Sequence, residues 1–135
     1  MRKDDSAPQI VLSNDPGAGA EFLFTVPAGQ KWILKSVSVQ LVETVQTPWP
    51  SLVLDDGTNI YFKSLAGTAA MAATNTSQIS WFEGATLIGG AADTTRQGTL
   101  PFAMVLLAGH RIRSVTAGIG ANCDYGIAYA SVEKI

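Results

Sequence analysis

The chain holds few of the groups that perform chemistry: one cysteine, Cys123, and one histidine, His110, in 135 residues. A single thiol cannot close an intrachain disulfide, which excludes a secreted disulfide scaffold. A single imidazole excludes metal centres built from several histidines. Charge is scarce too, at 15% of residues with a net of −2, and the nine Lys and Arg form no block. Sequence-independent nucleic-acid binding needs clustered cations to displace counterions, so no nucleic-acid partner is expected. The longest apolar run, residues 100–108, is too short to span a bilayer. The opening MRKDDSAPQ has basic residues without an apolar segment behind them, so it does not read as a secretory signal. No membrane partner is expected, and the chain is expected to be soluble when made, in a reducing cytoplasm.

What is abundant is strand material. Hydrophobic residues make up 47% of a chain long enough for one core. Residues 26–45, VPAGQKWILKSVSVQLVETV, are the spine. Pro27-Ala28-Gly29 makes a turn, and a long run rich in β-branched residues follows. Val37, Val39 and Leu41 alternate with Ser36, Ser38 and Gln40, a period of two that puts one face in a core. Trp32 and Leu34 sit in the opposite phase, which predicts either a bulge or a strand whose ends bury opposite faces. A shorter echo, Leu107-Ala108-Gly109-His110-Arg111-Ile112-Arg113-Ser114-Val115, repeats the turn-then-strand order. It reads as shared turn chemistry and is too short to claim a duplication.

Residues 1–8 read as a loose arm carrying Arg2 and Lys3, and residues 9–135 as one domain. Short strands are expected at 9–13, 21–26, 52–54, 60–63 and 79–82, with Asp55-Asp56-Gly57-Thr58-Asn59 as a hairpin turn. Pro48 and Pro50 argue against a mid-sheet position for their segment. Three further strands are expected at 99–107, 111–117 and 123–133. In the last, Cys123, Tyr125, Ile127 and Tyr129 share one face and Asp124, Gly126, Ala128 and Ala130 the other. No stretch has sustained helical periodicity. The expected fold is all-β, an antiparallel β-sandwich of the jelly-roll kind.

The inventory contains no constellation suited to catalysis, so no enzyme and no cofactor are expected. His110 follows a turn glycine, and Cys123 lies on an aromatic face where a thiol acts as a small hydrophobe. Asp55 to Asn59 lacks the alternating oxygens and distal glutamate of a calcium loop. The candidates left are contact residues. Trp49, between prolines, reads as exposed. Trp81 and Phe82 suit a sheet end or a subunit seam. Arg96 is the only basic residue in a stretch of small side chains, and Arg2 and Lys3 mark the arm.

The segments PAGQKW, ILKSVSV, LLAGHRIRSVT and the closing ASVEKI together resemble small tailed-bacteriophage virion proteins of the capsid cement or decoration type. In these, a PAG-x-x-W turn opens a long strand and an L-P-A-G-x-R-I-R turn opens a penultimate one. Here Leu107 stands where that proline would be. The resemblance covers residues 26–42 and 106–135. It implies a structural protein on the capsid exterior of a virion, often a homotrimer, whose partner is the major capsid protein. The alternative is the carbohydrate- or receptor-binding head of a phage fibre, with Trp49 as the contact.

Overall fold

The computed structural model describes residues 8–135, so Arg2, Lys3 and all but the last residue of the expected arm lie outside the described residues. The described residues form eleven strands: β1 (Gln9–Leu12), β2 (Leu23–Thr25), β3 (Trp32–Glu43), β4 (Trp49–Asp55), β5 (Ile60–Leu65), β6 (Thr76–Glu83), β7 (Thr95–Leu100), β8 (Met104–Leu106), β9 (Arg111–Ala117), β10 (Cys123–Tyr125) and β11 (Tyr129–Lys134). The first sheet runs β1-β11-β3-β6-β7, with β8 and β10 also paired to β3. The second runs β2-β9-β4-β5. The sheets pack against each other as a β-sandwich.

β3 is the spine because its sequence keeps one face apolar from Trp32 to Leu41, and that face ends in buried Glu43. Its phase change is resolved by a bulge. Ser36 faces Ser131 and Leu34 faces Val132, which leaves Lys35 as the extra residue on β3. The bulge returns Trp32 and Leu34 to the side that carries Val37, Val39 and Leu41, and all five are buried in one core. There they join Leu52 and Leu54 of β4, Ile112 of β9, and Phe22 and Phe24. Side chains of this size each contribute about 1.5–3 kcal/mol when fully buried.

The two echoed turns serve different sheets. Gly29 (φ 78°) precedes β3 and Gly109 (φ 85°) precedes β9, and space for a Cβ is open at both. Backbone conformation alone therefore demands glycine there. The turns also meet, since Gly109 N donates to Val26 O and Val26 N donates to His110 O.

The structure corrects several sequence expectations. The sandwich is not wholly antiparallel: β6 and β7 are parallel, with residues 84–94 supplying the crossover. The strand expected at 99–107 is split by a turn after Pro101, where Ala103 adopts φ 53°. The strand expected at 123–133 breaks at residues 126–128, and the break changes the phase. Cys123 and Tyr125 stay in the core, but Ala128, Ala130 and Val132 succeed them, while Ile127 and Tyr129 turn outward.

Pro50 does lie inside a central strand, with β9 on one side and β5 on the other. It is tolerated because its carbonyl accepts from Ala66 N, just past the end of β5. In a strand, N and O of one residue point the same way. The missing N–H therefore also points past the end of β5, where no ladder partner is required.

Candidate interaction surfaces

Of the contact residues expected from sequence, Phe82 is surface-exposed and two others are not available. Trp81 is fully buried, with its indole Nε1–H donating to Ser64 O at 3.1 Å and its ring 6.4 Å from that of Phe22. Alternation along β6 explains the split, because adjacent strand residues face opposite ways. Arg96 is also fully buried. Its Nε donates to Ala66 O (3.3 Å), one terminal nitrogen to Gly90 O (3.0 Å) and the other to Ala69 O. A guanidinium set among carbonyls holds two small-residue loops to each other, which makes Arg96 an internal clamp. Trp49 is half-buried, and its Nε1–H donates to Gly67 O.

The thiol and the imidazole are both engaged. Cys123 is buried and donates to Oε2 of Glu43. Burial and then that carboxylate push the thiol up to about 11, far from the thiolate a nucleophile needs. Burial would raise Glu43, but donation from Cys123 and from the backbone N–H groups of Val45, Gln46 and Thr44 holds it below the ordinary carboxylate range. His110 Nδ1 lies 3.1 Å from the Tyr61 hydroxyl. Among the described residues, no three His, Cys, Asp or Glu side chains gather as a metal site.

Asp55 carries a role that sequence reasoning missed. Read as the first residue of a turn, it is 1% exposed and lies between two arginines. Oδ1 accepts from Arg111 Nε (2.8 Å) and Gly57 N (2.8 Å). Oδ2 accepts from Arg113 Nε (2.6 Å) and a terminal Arg111 nitrogen (3.2 Å). Burial alone would raise the carboxyl, but the donors from Arg111, Arg113 and Gly57 outweigh it and set it at about 2. A signal was present in Arg111-Ile112-Arg113, since alternation puts both guanidiniums on one face. What sequence could not show is the register that seats Asp55 opposite Arg111.

The outer face of the first sheet has a different character. One row across it is Ile10, Ser131, Ser36, Phe82 and Thr99, and the next is Leu12, Tyr129, Ser38, Ser80 and Gln97. Neither row contains a formal charge. Charge appears at the β3 bulge, where Lys35 Nζ pairs with Glu83 (3.2 Å) and Glu133 (3.1 Å). Beside the second row, on the side away from the first, a shallow depression of about 480 Å³ is lined by Asp15, Ser38, Gln40, Gln78 and Tyr129. No family model, curated protein or solved structure matches the chain.

Proposed function

We propose that this chain is a structural virion protein, a capsid cement or decoration protein that binds the outer surface of a phage capsid and stabilises it. The observation that carries the reading is the pair of uncharged rows across the outer face of the first sheet. Ser, Thr and Gln fill its centre, with Ile10, Leu12 and Tyr129 exposed at one side and Phe82 at the other. Depletion of charge at the centre of a patch, with aliphatic and aromatic residues around it, is typical of surfaces that pack on neighbours. Identical copies do not repel across such a face, which suits a homotrimer. Strand order supports a jelly-roll wiring. In chain order β1, β3, β6 and β11 belong to the first sheet, and β2, β4, β5 and β9 to the second. The motif resemblance and the engaged state of Cys123 and His110 point the same way.

The test is whether the chain is present in fixed ratio to the major shell protein in purified particles. Adding it back to particles that lack it should raise their heat resistance. Failure to bind particles, with a monomer in sedimentation, rejects the reading.

The depression on the same face favours a second reading, a carbohydrate-binding head. Hydroxyls, amides and the Tyr129 ring match the donors, acceptors and apolar face of a sugar. Binding on a glycan array that is lost in Gln78→Ala and Tyr129→Ala would select it. Trp49 is displaced as the contact residue in that reading, because its indole N–H is bonded to Gly67 O.

A further inference from the structure

The outer face of the second sheet differs from that of the first in charge. Arg113, Val53 and Lys63 lie in one cross-strand row over β9, β4 and β5, and Arg111 and Asp55 lie opposite each other nearby. Three cations thus stand against one carboxylate, and that carboxylate is buried and fully occupied by its donors. Asp56, at the adjoining turn, is also occupied, by Thr58 N and Asn59 N.

We propose that this face is a recognition surface for an acid-rich patch of another protein. It is distinct from the uncharged face and independent of whether that partner is a capsid. Asp55 draws Nε of both arginines to one point, so the two guanidiniums are fixed side by side before any partner arrives. Among the described residues, the terminal nitrogens of Arg113 and Nζ of Lys63 have no hydrogen-bonding partner. Val53 is fully buried although it lies in this outward row, and the stems of Arg113 and Lys63 flank it. The cationic heads thereby stay at the surface on a rigid strand platform, and the two guanidiniums held by Asp55 have little rotamer freedom left to lose on binding.

Charge decides the partner's chemistry. A second copy would bring the same cations and be repelled, whereas glutamate and aspartate side chains would complete the donor geometry that Asp55 already uses. Nucleic acid is disfavoured, because its affinity grows with the number of phosphates neutralised and this face offers three cations.

The test uses the full chain with ¹⁵N-labelled amide and arginine Nε–H signals, titrated in separate arms with oligoglutamate, oligoglutamine, oligothymidylate and inorganic phosphate. Saturable shifts at Arg111, Arg113 and Lys63 with oligoglutamate are expected. They should weaken about threefold in Lys63→Gln, the scale of one exposed charge pair, and fade at high salt. Among the described residues Lys63 has no hydrogen-bonding or ion-pair partner, so that variant should retain the fold, which its amide spectrum verifies. The proposal is overturned by no saturable shift, by equal shifts with oligoglutamine, or by tighter binding of oligothymidylate. It is also overturned if inorganic phosphate binds as tightly as oligoglutamate, which would make this a site for a lone oxyanion.

Discussion

Replacing Asp55 with asparagine should be among the most damaging single-atom-scale changes in the molecule, and its cost should depend on pH. The carboxyl falls from 3.8 to about 2 on folding. At about 1.4 kcal/mol per unit, that displacement corresponds to about 2 kcal/mol of stability. The sign follows from the lowered value. Above the unfolded pKa the contribution is complete, and it is lost as pH falls through the folded value near 2. An amide also leaves the Arg111 and Arg113 guanidiniums adjacent without a counter-charge, which adds a repulsive cost while both remain partly solvated. Urea unfolding of wild type and Asp55→Asn near neutral pH should show the midpoint reduced by about 1 M or more, given a slope of about 1–3 kcal/mol per M. Near pH 2 the gap should have narrowed to a small remnant, because the native wild-type carboxyl is then about half protonated and the unfolded one almost wholly so. A gap that stays constant between these pH values, or one below about 0.5 kcal/mol near neutrality, would refute the account of Asp55 as the charged keystone of this face.

Other substitutions test the interior. Gly98→Ala would place a Cβ 2.3 Å from Leu65 O and 2.4 Å from the Trp81 ring, so the crossover strand must shift. A loss of about 3 kcal/mol and a red-shifted tryptophan emission are expected, and wild-type stability would show that the fit is loose. Arg96→Met keeps the apolar stem but strands the carbonyls of Ala66, Ala69 and Gly90. It should cost about 3 kcal/mol and accelerate amide exchange in residues 66–72 and 88–93 ahead of β3, whereas uniform acceleration would deny it a local clamping role. Cys123 should resist a disulfide reagent in the native state and react at the rate of unfolding, since burial and Glu43 hold the thiol at about 11. Rapid native labelling would contradict that environment.

The strands that were legible in the sequence are those with a clean period of two and a turn on each side. β3, β9 and the β4–β5 hairpin fall in this group, and so does the phase change within β3, for which a bulge was one of two readings and is the one found. Where small residues replace the alternation, sequence loses the signal. Thr95-Arg96-Gln97-Gly98 looks like loop, yet it forms β7, because Gly98 clears room for Trp81 and Arg96 finds carbonyls to bond. For the same reason sequence alone places Arg96 and Trp81 among the contact residues. Both polar ends look solvent-seeking until the acceptors, Ser64 O and Ala66 O, are known. Alternation alone keeps Ile127 and Tyr129 on the face of Cys123 and Tyr125, because nothing local announces that Gly126, whose N–H donates to Gln40 O, ends the strand and resets its phase. The cationic face was half-visible in Arg111 and Arg113, but its carboxylate lies more than fifty residues away along the chain.

A sandwich without helices must satisfy the backbone of its long connections by other means, and carboxylates supply much of that. Glu43 Oε1 accepts three consecutive N–H groups, those of Thr44, Val45 and Gln46, at 2.6–2.8 Å. Asp56 takes Thr58 N and Asn59 N, Glu83 takes Ala103 N, and Glu21 takes Thr116 N. These acids thus serve as internal staples for backbone N–H groups, while among the described residues Arg113 and Lys63 keep free donors, so a net charge of −2 misdescribes what a partner meets. This arrangement predicts the order of acid unfolding. Glu43, Asp56 and Glu83 are all held below their ordinary values, so each stabilises the fold above its unfolded pKa and releases that stabilisation as pH falls through its folded one. The turns at 44–46 and 56–59 and the turn around Ala103 should therefore lose amide protection first on acidification, before the apolar ladder of β3, β6 and β11, which holds no titrating group in its buried rows between Val37 and Leu41. Glu43→Gln should open its turn at neutral pH and leave the other two pH-dependent. If the three turns and the sheets instead open at a single pH, the staples are not independent, and the acid transition belongs to the Asp55 cluster alone.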